Sequence, residues 1–471
     1  MAIERILMII SDTVRWDYLG YNGGHVRTPN LDALASRSVV FDDHHAVSFP
    51  TMPARHDYLT GYPAYVNQDW GPLPHNIPTV SAALSDAGYL TTAVVDTPFY
   101  TTKGFHYDRG FQYFYDMMSQ PFNAPPYDTK SQGYDLTRTI PPKGIGREGW
   151  ARMEPTLGHR EEDQAVARTV RKAEEVLEML RCQRFFALVD VWDPHEPWGP
   201  PYYYVQRYLP DFAGEGTGPC YGRVKELGTT ERQLNVARAL YSAELEMVDR
   251  WLGQLLDKVE RLGIADTTAI VFMSDHGFYF GEHEYFGKMH AAPMLDEKGR
   301  KQWLRSPLYD EITHVPLMIY LPGAKPRHVK GLTSALDIAP TLLDLAGLKK
   351  PDGWLGNSLV PVVAGNAAPS RKAVITALRL RAPAELTNAV DGTARALATW
   401  QPVTITTADW QLLYTIPTEP VELYTRRGGG GTVEVSAQHP EVVDKLIALF
   451  EDELKATGAT DRMLAQRIRN R

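Results

Sequence analysis

Two short apolar runs that do not alternate, each closing on an acidic residue, stand out along a chain whose other hydrophobic positions recur mainly at helical spacing. Arg5–Ser11 (RILMIIS) runs without a polar break to Asp12, the pattern of a strand covered on both faces in a parallel sheet. Residues 267–273 (TTAIVFM) repeat it and close on Ser274-Asp275-His276-Gly277. Open α/β sheets bind ligands beyond the C-terminal ends of their strands, so Asp12, Asp275 and His276 read as site residues, although loop capping is the commoner use of such aspartates. Longer amphipathic stretches at 161–180 and 231–262 predict helices between the strands. Past a linker at 365–370, residues 373–380, 402–407 and 410–414 predict a small antiparallel sheet, and 440–454 a closing helix. The expected fold class is α/β: a central mostly parallel sheet with helices on both faces in residues 1–365, then a C-terminal α+β subdomain in 366–471.

Thr51-Met52-Pro53-Ala54-Arg55, followed by Leu59-Thr60-Gly61, places a hydroxyl, a proline and an arginine at a helix start. Pro53 suits the first turn, where free N–H groups and the positive dipole end favour an anion beside Thr51. Arg55 adds a planar positive fork. An ordinary helix start, with Thr51 as N-cap, is the alternative. Asp12, Asp275 and His276, with the Thr51 hydroxyl as fourth donor, make a mostly hard ligand set for a divalent cation, which would activate that hydroxyl. The combination points to ester hydrolysis at phosphorus or sulfur.

The pattern resembles the sulfatase branch of the alkaline phosphatase superfamily, whose chains join such an opening strand to a (Cys/Ser)-x-Pro-x-Arg…Leu-Thr-Gly segment and a Ser-Asp-His-Gly strand end. Arg27-Thr-Pro-Asn-Leu-Asp32, Asp193-Pro-His195, Gly281-Glu-His283, Gly287-Lys288 and Asp337-Ile-Ala-Pro-Thr341 follow in family order, and the similarity runs from about Ile6 to Leu359. It implies an alkaline-phosphatase-like sheet. It also implies that Lys288 contacts the transferred oxyanion and leaving oxygen, and that His195, in the 192–198 loop with Trp192, binds the substrate anion or protonates the leaving group.

The departures sharpen the expectation. The family oxidises Cys or Ser at position 51 to formylglycine, but a secondary alcohol would give a ketone, so no formylglycine is expected at Thr51. Threonine is the direct nucleophile in the superfamily's nucleotide pyrophosphatase/phosphodiesterase and phosphopentomutase relatives. That resemblance ranks phosphate and phosphonate esters, of phosphodiesterase or phosphonate monoesterase type, above sulfate esters. Asp12-Thr13 replaces a family Asp-Asp pair, which weakens a Ca site most, so the expected divalent ion is Mn, Zn, Mg or Ca, with Mn, Zn and Mg ahead of Ca. One metal site is favoured over a second built from Asp190, Asp193, His195 and His314. The family's Gly-Lys-Trp-His segment is missing, and Lys103 and His106 are the nearest replacements. Residues 289–307 form an insertion that reads as a lid, with Lys298, Arg300, Lys301, Trp303 and Arg305 available to an anionic or aromatic leaving group; a surface excursion or subunit contact is the alternative.

Composition narrows the setting. With 471 residues, 44% of them hydrophobic, the chain can bury a large core, and a formal net charge of −8 argues against nucleic acid as partner. The two cysteines fit no disulfide or zinc pattern, and no apolar run reaches membrane-spanning length. The expectation is a cytoplasmic enzyme acting on a small-molecule anionic ester, without membrane partner, a homo-oligomer remaining open. The rival readings are a sulfuric ester hydrolase, a catalytically inactive sulfatase-like binding protein, and a transferase or mutase using the same covalent intermediate.

Overall fold

The computed structural model describes residues 3–468 except 69, 98–99, 101–103, 118–159, 216–220, 293–300, 384–385, 388–394 and 427–432. Its centre is an eight-stranded sheet, ordered in space Arg327–Val329, Val39–Phe41, Leu317–Tyr320, Thr268–Met273, Arg5–Ser11, Phe185–Val191, Leu90–Val95 and Tyr113–Asp116. Arg5–Ser11 runs parallel to both its neighbours, and Leu317–Tyr320 is antiparallel to both of its own.

The pleat explains the unbroken apolar run. Every residue of Arg5–Ser11 is buried, and alternate side chains enter different cores. Ile6, Met8 and Ile10 pack with residues of the helices Thr51–Thr60, Val80–Asp86 and Ile338–Leu345. Leu7 and Ile9 pack with Pro29–Ser36, Ala165–Leu180 and Glu231–Arg261 on the other face. The predicted 161–180 helix is interrupted: Glu161–Asp163 forms a 3-10 turn, and extended Gln164, whose Nε2 donates to the Gly199 carbonyl at 3.1 Å, precedes the helix proper. Glu231–Arg261 starts at a reciprocal cap between Thr230 and Gln233.

Val374–Ala377, Val403–Thr406, Trp410–Tyr414 and Glu422–Thr425 form a separate antiparallel sheet, covered by the helix Pro440–Ala456. The expected strands are present; Glu422–Thr425 is an addition that its short polar pattern concealed. Of the 289–307 insertion, residues 293–300, and with them Lys298 and Arg300, lie outside the described residues, as does Lys103. The strand Lys301–Trp303 pairs in parallel with Arg395–Leu397, and Trp303 is buried, so this part of the insertion is sewn into neighbouring structure. No helix among the described residues is long and apolar enough to cross a membrane.

Carboxyl groups collect where the central strands end. Asp96, just after Leu90–Val95, accepts from the Trp192 N–H at 2.5 Å and shares a hydrogen bond of 2.7 Å with the Thr169 hydroxyl. Burial, and then the neighbouring Asp193 carboxylate, push Asp96 up to about 8, so it is neutral at pH 7. A carboxyl held above its unfolded value contributes stability that is complete below pH ~4 and lost as pH rises through the folded value. Asp96→Asn removes the titrating proton and keeps the shape: its Oδ1 can still accept the Trp192 N–H, and its Nδ2 can donate to the Thr169 hydroxyl oxygen once that hydroxyl turns. The variant's melting temperature should therefore gain on the wild type as pH rises from about 4 to about 8 and level off above that, wild-type stability falling by up to about 1.4 kcal/mol per pH unit relative to the variant.

Candidate active site

Asp12 follows directly from the central strand, and its N–H donates to the Val191 carbonyl at 3.0 Å. Ser274, at the end of the adjacent strand, ties the two ends together: its hydroxyl donates to the Ser11 carbonyl at 2.7 Å and accepts from the Val14 N–H at 2.8 Å. Thr13 lies between them in the left-handed region, φ 64°, an uncommon conformation for a β-branched residue. The turn aims the Thr13 N–H at Asp275 Oδ1 (2.9 Å) and the Thr13 hydroxyl at Asp12 Oδ1 (2.6 Å). Asp275 Oδ1 also accepts the His276 N–H at 2.9 Å.

One oxygen of each carboxylate is thus fixed by local donors, and the other faces the site. Asp12 Oδ2 is buried without a hydrogen bond, although Arg55 Nη1 lies 2.9 Å away. Asp12, Asp275 and His276 each offer a ligand atom within 4.8 Å of the others. His276 Nδ1 faces the Gly277 carbonyl at 3.1 Å, which assigns the proton to Nδ1 and the lone pair to Nε2. Burial, assisted by Lys288, holds His276 down to about 3 despite Asp275, so the ring is neutral at pH 7. Burial and then Asp275 push Asp12 upward; burial would raise Asp275 too, but Arg55 and His276 hold it low. Two crowded carboxylates that share one guanidinium nitrogen, beside a neutral imidazole, form a group that could hold a divalent cation.

The helix Thr51–Thr60 starts beside this cluster, and all ten of its residues are buried. Its first residue is Thr51, with Pro50 at the N-cap position and Pro53 in the first turn; Gly61, at φ 61°, ends it. The Thr51 hydroxyl lies 3.4 Å from His276 Nε2. One turn on, Arg55 sits at the hub of three carboxylates. Its Nε and Nη2 donate to the two oxygens of Asp190 at 3.1 and 2.8 Å, and Nη1 donates to Asp275 Oδ2. Asp190 also accepts from the Thr97 and Tyr100 hydroxyls, each at 2.6 Å.

That network accounts for Asp190, which sequence reading offered as a second-metal ligand and which here anchors Arg55. Asp193 instead accepts the Val166 N–H at 3.2 Å, and His314 stacks on Trp16 with Nε2 at 2.9 Å from the Asp42 carbonyl. Among the described residues, the Asp12–Asp275–His276 set is the one grouping of this kind.

The 192–198 loop forms another wall. His195 stacks on Trp192 at 3.6 Å, and its Nδ1 is 2.5 Å from the Glu196 carbonyl. Burial and then Lys288 hold His195 well below its ordinary value. Trp192 Nε1 is buried without a hydrogen-bond partner among the described residues. Lys288 is 3% exposed, its Nζ 3.2 Å from Glu196 Oε1 and 3.3 Å from the Thr13 hydroxyl. Of the other proposed substrate contacts, His106 packs on His75, and Arg305 pairs with Glu422 at 2.6 Å. Sequence reading missed Glu196, Tyr100 and Thr97. Glu196 carries a local signal, an acid directly after His195; the other two carry none.

The fold and site define a hydrolase of the alkaline phosphatase superfamily. The sulfatase family profile matches residues 4–348, and the chain belongs to that family. It is 25% identical over 408 residues to iduronate 2-sulfatase of Mus musculus, covering 74% of this chain and 69% of that one. With an arylsulfatase of Clostridium perfringens it shares 26% identity over 398 residues, covering 76% and 78%. A phosphonate monoester hydrolase from Silicibacter pomeroyi superposes with a TM-score of 0.72 at 23% identity, covering 98% of this chain and 96% of that one, which establishes the shared fold. The chain is thus an ester hydrolase of a metal-dependent family.

Titration of metal-stripped protein with Mn2+ or Zn2+ should show one tight site and a raised melting temperature. Asp12→Asn and His276→Ala should each weaken binding at least about tenfold, read by calorimetry.

Proposed function

We propose that this chain hydrolyses phosphate diesters or phosphonate monoesters, with Thr51 as covalent nucleophile and one divalent ion held by Asp12, Asp275, His276 and Thr51. The observation that carries this reading is the Thr51 hydroxyl at a helix start, 3.4 Å from His276 Nε2 and beside a carboxylate pair. When bound, such an ion lowers the pKa of the hydroxyl and offsets charge on the reacting anion. A secondary alcohol cannot become a hydrated aldehyde, so the ester formed on Thr51 cannot be released by collapse of a hydrate; on this reading it is a phosphoryl or phosphonyl ester, cleaved by water from the opposite face.

The electrostatics support a monoanionic substrate. The buried carboxylates Asp12, Asp190, Asp275 and Glu196 outnumber the buried cations Arg55 and Lys288 by two, and one divalent ion offsets that excess. Arg55 is committed to Asp190 and Asp275, and Lys288 to Glu196, so the described residues hold little spare positive charge for a dianionic phosphate monoester. His195, neutral and with Nδ1 committed to a carbonyl, presents Nε2 as a proton acceptor. Lys288 is left as proton donor to the leaving oxygen. Sulfate monoesters are monoanions too, and the curated relatives are named as sulfatases, so sulfate ester hydrolysis is the second reading. A cytoplasmic setting and a small-molecule substrate complete the proposal, on a net charge of −8 and two cysteines.

A panel of nitrophenyl phosphate, phosphodiester, phosphonate and sulfate esters, run with several metals, tests it. The diester and phosphonate should be turned over fastest, and Thr51→Ala should lose at least about a thousandfold in kcat. Acid-quenched wild type should carry a phosphoryl or phosphonyl adduct on the peptide containing Thr51. Undiminished turnover by Thr51→Ala removes the proposed nucleophile, and turnover of the sulfate ester alone reverses the substrate ranking.

A further inference from the structure

Lys288 is a buried ammonium group, and what holds it is unusual for a residue expected to meet an incoming anion. Its Nζ lies 3.2 Å from Glu196 Oε1 and 3.3 Å from the Thr13 hydroxyl. The Thr13 hydroxyl donates in turn to Asp12 Oδ1 at 2.6 Å. The lysine is therefore strung between a loop carboxylate on one side and the hydroxyl that leads to Asp12 on the other.

Glu196 is itself an expensive residue to bury. It is 4% exposed, and burial raises it above its ordinary value despite Lys288. Oε1 takes both Lys288 and the Tyr221 hydroxyl, while Oε2 is left without a hydrogen bond, 3.5 Å from His195 Nδ1. A buried carboxylate with an unmet oxygen is poorly explained as a device for stability. The same residue's main-chain carbonyl faces His195 Nδ1. Glu196 thus governs two functional side chains at once, His195 through its backbone and Lys288 through its carboxylate. Behind it, Tyr221 lies against Trp303 of the insertion, ring centroids 6.5 Å apart.

We propose that Glu196 is the positioning residue for Lys288, holding its ammonium group between the Glu196 carboxylate and the Thr13 hydroxyl so that it meets the leaving oxygen in one orientation. Glu196 touches no reacting atom and acts through the lysine. The inference rests on the role given to Lys288 above. It also links the insertion to the chemistry, because Trp303 backs the tyrosine that fixes the Glu196 carboxylate.

A double-mutant cycle on the metal-loaded enzyme tests it, using the ester turned over fastest. Glu196→Gln, which keeps the shape and removes the charge, should lower kcat about 10- to 100-fold with KM changed less than about threefold. Lys288→Met should lose at least as much, and the double variant no more than Lys288→Met alone. Losses that multiply would show Glu196 acting independently of Lys288 and overturn the proposal, as would an unchanged kcat in Glu196→Gln. The melting temperature of each variant separates misfolding from mispositioning: the double variant, which strands no buried charge, should melt above Glu196→Gln. Should no ester be turned over, the function proposed above falls, and the same cycle is read on the affinity of the Mn2+-loaded protein for orthophosphate. Equal, non-additive weakening there supports the positioning role, and additive weakening or none rejects it. If Thr51→Ala retains activity, the covalent step fails while the cycle still decides the part played by Glu196.

Discussion

The structure is organised around buried negative charge that has to be offset. Asp12, Asp190 and Asp275 converge where parallel strands end, each fully shielded from solvent. Leaving one buried carboxylate uncompensated costs on the order of 3–5 kcal/mol, so three gathered around one point demand a cation within reach. Arg55 is that cation: its guanidinium spans Asp190 in bidentate fashion and touches both Asp12 and Asp275. Removing any member strands the others. The helix Thr51–Thr60 must consequently be seated so that position 55 reaches the carboxylates, and that seating fixes Thr51 one turn earlier at the same centre.

Arginine does not finish the task, which is why the arrangement reads as a site and not as a structural ion-pair network alone. Asp12 Oδ2 meets Arg55 only as a charge at 2.9 Å, without an aligned hydrogen bond, and His276 turns an unprotonated nitrogen inward. A network evolved only for stability would be expected to satisfy such atoms. The neutral imidazoles follow from the same field, since burial and nearby cations disfavour a further positive charge on His195 and His276. Both rings are thereby kept as bases or ligands at neutral pH.

How much of this the chain reveals before folding depends on how local each signal is. The central strand, the Ser274–Gly277 strand end and the arginine helix are contiguous patterns; the strands they imply are present, and Asp12, Asp275 and His276 lie together at their ends. Two-face burial of Arg5–Ser11 was legible because both faces demand apolar residues, which erases alternation. Asp190 was open in the sequence only as a candidate for a disfavoured second metal, because nothing near it tells that Arg55, 135 positions away, takes both its oxygens. Arg305 was read as available to an anionic leaving group, and its ion-pair partner, Glu422, comes from a strand over a hundred residues on that gives no local signal. Long-range ion pairs carry no periodicity, so single-sequence reading finds the groups that do chemistry more readily than the groups that hold them.

Thr13 shows how a site can change a side chain without changing its backbone. A β-branched residue at φ 64° costs on the order of 1–3 kcal/mol, and it persists here because every polar group it owns is engaged. Its N–H meets Asp275, its carbonyl accepts the Tyr241 hydroxyl at 2.9 Å, and its hydroxyl meets Asp12 and Lys288. The N–H and carbonyl contacts belong to the main chain and would be made by any residue able to hold that turn. Only the hydroxyl belongs to threonine, and it supplies a neutral link where a carboxylate would have added a further negative charge beside Asp12. The lysine opposite must then find its anion elsewhere, and the nearest one described is Glu196. The charge absent from the strand end and the charge present in the loop are in this way two sides of a single electrostatic arrangement.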